Sequence, residues 1–308
     1  MTPAPSLVVF TVLSGLGLGL IVWIGLGFGP SDAEAPLFAW LASLGALVAT
    51  GAGGVASAGH LARPDRAWRA FSQWRSSWLS REACLLVLTA GLFVVYAAVW
   101  VVLGHRLWGL GWAIAALAVA TIYCTAMIYA QLPTVPRWST APTPALFLAF
   151  GALGGFLALE TIGALSGGEA HGGRLLLALA LGAGVTIWWQ TAAAGAPRSV
   201  RGSTLESATG LGRMGRVRAF EPPHTGPNYL LEEMAFAVGR KRAHGLRWVG
   251  AALGFLAPAV LVVLSWALGD AVVTLALLAH LAGAAALRWL FFAEAEHVQA
   301  LYYGASAR

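Results

Sequence analysis

Apolar residues along the chain fall in long blocks, without the alternation or narrow helical stripe of half-buried elements. Eight blocks reach the roughly 20 residues that carry a helix across a bilayer. The pattern predicts helical spans over Leu7–Phe28, Phe38–Ala58, Ala83–Leu103, Trp108–Ala130, Ala145–Leu165, Leu175–Ala194, Trp248–Leu268 and Ala271–Leu290. The first block follows Met1–Ser6, which has no basic residue. At 22 residues it exceeds a signal-peptide core and reads as a retained span. The expected fold class is an all-α integral membrane protein with eight transmembrane helices, an amphipathic loop after the second and a long loop after the sixth. The expected organisation is one membrane domain, 1–308, with an extrinsic loop at 195–247.

Composition sharpens this picture. The chain is 58% hydrophobic and 10% charged, against roughly 25% charged for soluble domains, which excludes an ordinary soluble enzyme. Cys84 and Cys124 both fall in apolar blocks and offer no Cys-rich metal site, so no metal is expected. The loops after spans one, three, five and seven hold Arg106 and Arg174 alone, leaving 17 of the 19 Lys and Arg on the other side. That asymmetry predicts a bacterial inner-membrane protein with both termini cytoplasmic. The basic character is then a property of the face toward anionic lipid, and no nucleic acid is needed to explain it.

The chemistry-capable side chains concentrate on the basic face. Residues 60–82 read HLARPDRAWRAFSQWRSSWLSRE, with five arginines and the aromatics Trp68, Phe71, Trp74 and Trp78 at roughly helical spacing. This predicts an interfacial amphipathic helix in which the tryptophans anchor the loop. In the sixth loop Asn228 caps an expected short helix with Leu230, Leu231, Met234 and Val238 on one face, stopped by Gly239, lying on lipid or docking a cytoplasmic partner. Gly15 with Gly19, and Gly151 with Gly155, predict close helix approach. No repeat of 20–50 residues is found, nor matching interrupted halves of the transporter kind.

Ionisable residues within spans are expensive, and each is a candidate site. Glu160 in span five and His280 in span eight either relay protons or are satisfied by packing, and Arg288 lies near enough to a helix end to snorkel. His60 ends span two and Glu82 begins span three, so adjacent helices can bring them into one interfacial site. A quinone head group there would receive a hydrogen bond from the histidine and exchange protons through the carboxylate. Bis-histidine haem needs two histidines at matched depth. His60 and His297 are the possible pair, covalent attachment is excluded by the lack of CxxCH, and haem is not expected.

Three stretches carry a family resemblance: HLARPDRAW at 60–68, WLSRE at 78–82 and IYAQLPTVPRWSTAPTP at 128–144. They resemble the anchor subunits of the dimethyl sulfoxide reductase type, with eight helices matching over nearly the whole chain. The resemblance implies a membrane subunit without metal centres of its own. Such a subunit holds a molybdopterin catalytic subunit and an iron–sulfur subunit of four-cluster ferredoxin character at the bilayer. It passes electrons between them and the quinone pool, menaquinone or ubiquinone. It places the quinone-site histidine at His60 and its acidic partner at Glu82. Ala62 stands where glycine is usual, and the sixth loop is longer than in the dimethyl sulfoxide reductase anchor, resembling anchors that accompany cytoplasmic sulfite-oxidising enzymes.

The expected function is thus the quinone-reactive anchor of a three-subunit sulfite-oxidising molybdoenzyme, with sulfur chemistry in the partner. His60, Glu82 and Arg63 would contact quinone, Arg66, Arg69 and Arg75 would dock the partner, and Glu160 and His280 would relay protons. The alternatives are an anchor that feeds electrons from quinol to a sulfoxide reductase, a purely structural anchor, and a secondary transporter. Against the last stand the missing inverted repeat and the scarcity of intramembrane polar groups.

Overall fold

The computed structural model describes residues 4–30, 36–59, 63–196, 204–218, 220–221, 237–295 and 297–298. Among them every regular element is helical. The long helices are α1 (Pro5–Gly25), α2 (Pro36–Ala58), α3 (Trp78–Leu103), α4 (Trp108–Ala130), α5 (Thr143–Leu165), α6 (Gly172–Ala194), a composite α7, and α8 (Val273–Ala293). Helix α7 joins Ala237–Ala251, a π-helical turn Ala252–Leu256 and Ala257–Leu268. Eight helices among the described residues are long and apolar enough to cross a membrane.

Departures from the expected boundaries have local causes. Ser77 is extended and its hydroxyl accepts from the Ser80 N–H, so α3 begins at Trp78 and takes in the WLSRE stretch ahead of the apolar block. Glu82 therefore sits inside the helix, a turn past its start. Residues Pro64–Phe71 form consecutive 3-10 turns instead of a longer amphipathic α-helix. The Asn228 cap and the residues after it up to 236 lie outside the described residues. Gly239, the expected stop of that short helix, falls instead within Ala237–Ala251, the extension of α7 beyond the apolar block.

Helix α1 is the hub, packed against α2, α4 and α5. The α1–α5 contact is backbone against backbone: a Cβ on Gly155 would overlap the carbonyl carbon of Gly19 and the nitrogen of Leu20. Trp23 pins the same pair by donating its indole N–H to the Ala152 carbonyl at 2.7 Å.

The π-helical turn in α7 has a specific satisfier. Pro258 has no N–H to give the Gly254 carbonyl one turn back, and the His280 Nδ1 of α8 lies 2.8 Å from that oxygen. Gly283 lets α8 approach closely enough, since a Cβ there would overlap Gly254.

The IYAQLPTVPRWSTAPTP stretch links α4, α5, α6 and α8. Trp138 donates its indole N–H to the Phe291 carbonyl at 2.8 Å, and Thr143 donates to the Trp138 carbonyl at 2.8 Å while accepting from the Trp189 indole at 3.0 Å. Arg137 pairs with Glu294 at 2.9 Å, and Arg247 of α7 takes the other carboxylate oxygen. One acidic side chain thereby ties the α4–α5 connection, α7 and the end of α8 together.

Candidate functional site

Glu82 is buried, with 5% of its surface exposed. Its carboxylate accepts a hydrogen bond from the Thr125 hydroxyl of α4, and that hydroxyl also lies 3.1 Å from the Thr121 carbonyl. Thr125 has one hydroxyl proton for two acceptors. The arrangement accommodates both states of the acid: an ionised Glu82 takes the Thr125 proton, while a protonated Glu82 donates to Thr125, which turns to Thr121. No cation lies within ion-pair distance of Glu82 among the described residues. The nearby Arg81 is engaged elsewhere, donating to the Trp74 and Arg75 carbonyls at 3.0 and 2.7 Å and lying over the Trp78 ring at 4.3 Å. Arg81 therefore folds the 63–77 loop back onto the start of α3.

His60 lies outside the described residues, together with Leu61 and Ala62. Its neighbour Gly59 is placed at the end of α2 beside Ser6 at the start of α1. Arg63 forms a two-point pair with Asp65, both contacts 3.0 Å, and Arg66 approaches the same carboxylate at 3.9 Å. Arg69 lies over Trp68 and Arg75 over Trp74, at 5.6 and 5.3 Å. These arginines and Trp68, Phe71 and Trp74 are all exposed, so the loop presents a basic, aromatic surface.

The two intramembrane candidates have separate partners. Glu160 accepts from the His171 backbone N–H at 2.7 Å and lies 3.2 Å from its Nδ1, tying the end of α5 to the start of α6 beside an open cavity of about 520 Å³. His280 is bonded to Gly254 and flanked by Phe150 and Phe255. Among the described residues no group of three His, Cys, Asp or Glu side chains is placed to hold a metal ion.

Thr125 was not among the residues singled out in the sequence, and Arg288 was expected to snorkel. Thr125 shares a helix with Thr121 at the i, i+4 spacing of one face, a weak signal in a helix that is apolar all round. Arg288 does not snorkel: it is buried, with its guanidinium 3.6 Å from the Phe147 ring centre. It sits deeper than expected because α8 continues to Ala293.

In the sixth loop a short ordered hook, Leu205–Thr209 and Leu211–Arg213, begins at a capping box between Thr204 and Ser207. Hydrogen bonds from its own backbone N–H, Thr204 and the Val217 N–H hold the Glu206 carboxyl below the usual carboxylate range.

Eight apolar helices, short connections on one face and a basic face define a multi-pass membrane protein. Residues 2–187 match the family described as DMSO reductase anchor subunit (DmsC). The chain is also 34% identical over 330 residues to a subunit of the sulfite dehydrogenase of Allochromatium vinosum, covering 98% of this chain and 99% of that one. No solved structure matches it. The chain belongs to the DMSO reductase anchor subunit family, the membrane anchors of molybdoenzymes.

Proposed function

We propose that this chain is the quinone-reactive anchor of a three-subunit molybdopterin and iron–sulfur oxidoreductase of the inner membrane, accepting electrons that originate from cytoplasmic sulfite. The observation that carries the site is Glu82, a buried carboxyl with no cationic partner among the described residues and a hydroxyl able to serve either protonation state. The likeness to a sulfite dehydrogenase subunit supports sulfite over sulfoxide as the partner's substrate.

A bound quinone would supply a two-electron, two-proton acceptor. His60, next in sequence to Gly59, hydrogen-bonds one ring oxygen. Glu82 would pass the two protons to the site in turn, recharged from the basic face after each, with Thr125 reorienting between Glu82 and Thr121 as the acid changes state. Arg63, with Asp65, forms the rim of the site. Glu160 and His280 serve as proton-handling groups within their own helix contacts. The positive, aromatic 63–77 surface docks the iron–sulfur subunit, which holds the clusters, while the sulfur chemistry stays with the molybdopterin subunit. Both termini and this loop face the cytoplasm in this reading, which the excess of Lys and Arg on one set of connections supports.

Purification of the tagged chain from its host membranes should bring two soluble subunits with it, one showing iron–sulfur absorbance. Reversing charge at Arg66, Arg69 and Arg75 together (each to Glu) should lower their recovery about tenfold or more, with membrane insertion unchanged. Equal recovery would show that docking uses another surface, and a solitary chain would contradict the anchor role in this complex.

A further inference from the structure

One tyrosine hydroxyl near Glu82 has no hydrogen-bond partner among the described residues. Tyr129 lies one turn beyond Thr125 on the same face of α4 and is 7% exposed. Its ring is held among Trp138, Phe147, Phe291 and Phe292, with centroids 5.2, 5.6, 5.5 and 5.4 Å away. Four rings fix where the hydroxyl points, yet that hydroxyl makes no hydrogen bond to any described residue. The ring is buried while the hydroxyl oxygen is not among the fully enclosed atoms, so it is free to bond a molecule that reaches it.

The surroundings of Tyr129 are polarised. Its hydroxyl lies within Coulombic reach of both the Glu82 carboxyl and the Arg288 guanidinium. Arg288 packs on Phe147, which also stacks on Tyr129, and its buried Nη1 has no hydrogen-bond partner among the described residues. A cation behind a phenol makes it a stronger donor, and most so toward an acceptor bearing negative charge.

We propose that the Tyr129 hydroxyl donates a hydrogen bond to an oxygen of the quinone head group held beside Glu82, with Arg288 supplying the positive charge behind it. The inference rests on the quinone reading above and adds a ring-binding residue to it. It also assigns a task to Arg288, a buried charge.

The test is equilibrium binding of two ring analogues to the full chain in lipid nanodiscs: 2-methyl-1,4-naphthoquinone, which is neutral, and 2-hydroxy-1,4-naphthoquinone, which is anionic at neutral pH. Tyr129→Phe keeps the ring and its packing. It should weaken the neutral analogue about threefold and the anionic one about tenfold or more, since hydrogen bonds to charged groups are the stronger class. Arg288→Gln should weaken the anionic analogue selectively, and Arg288→Lys should restore most of that loss. Unchanged affinities in Tyr129→Phe, or equal losses for both analogues, would overturn the inference. Glu82→Gln separates the two levels. If it alters affinity and Tyr129→Phe does not, only the Tyr129 assignment fails. If the native chain binds neither analogue, the quinone site and the Tyr129 assignment fall together.

Discussion

Glu82→Gln is expected to lower quinone turnover by about 10²-fold or more, the scale of a lost proton-transferring group. The amide has nearly the shape of the acid and still accepts from the Thr125 hydroxyl, so the packing of α3 on α4 is preserved. What it loses is the exchangeable proton and the ability to alternate between accepting from Thr125 and donating to it. The loss should therefore fall on kcat with a smaller change in KM, read by reduction of a quinone analogue at equal amounts of assembled complex. Turnover within twofold of the native protein would mean that protons reach the quinone by another path.

The largest structural effect is expected at Gly155. Leucine there must place its Cβ where the backbone of Gly19 and Leu20 already lies, so α1 and α5 can no longer meet and the Trp23 bond to Ala152 is lost with them. Overpacking a core typically costs about 1–3 kcal/mol when side chains can move aside, and here the obstruction is main chain. We expect folded yield, measured by size-exclusion chromatography of a fluorescent fusion, to fall about tenfold or more. Gly91→Leu is the matched control: Gly91 is exposed on α3, with nothing within 4 Å of its Cβ position, and its yield should stay near native. Equal yields for the two variants would contradict the close α1–α5 contact.

The spans were legible because a bilayer demands a minimum apolar length, and block length is read directly from the chain. Helix ends were less so. Block length misses a polar first turn, so the Ser77 cap and the start of α3 at Trp78, a turn ahead of Glu82, were invisible to it. It likewise gave no warning that α7 runs back through Gly239. Of the GxxxG glycines, Gly19, Gly151 and Gly155 stand where a Cβ would overlap a neighbour, whereas Gly15 has nothing within 4 Å of its Cβ position.

Polar residues inside spans were harder, because the sequence names the costly group and not its partner. His280 bonds the Gly254 carbonyl, which Pro258 cannot satisfy and which lies 26 positions earlier in the chain. Glu160 finds its partner in a loop histidine, His171. The IYAQLPTVPRWSTAPTP stretch was informative as a family mark, while its physical task emerges only when Trp138 and Arg137 are seen reaching α8. Thr125 gave only the weak signal of its i, i+4 spacing with Thr121, and Tyr129 stood out only as part of the 128–144 stretch.

The most direct test of the central claim is sulfite-dependent reduction of a quinone analogue by membranes carrying the whole complex, with the native chain compared to His60→Ala at equal assembly. The account predicts activity in the native complex and a loss of about 10²-fold or more in the variant. Equal activity in both would place the quinone away from His60, and no sulfite-dependent activity in either would contradict sulfite as the source of the electrons.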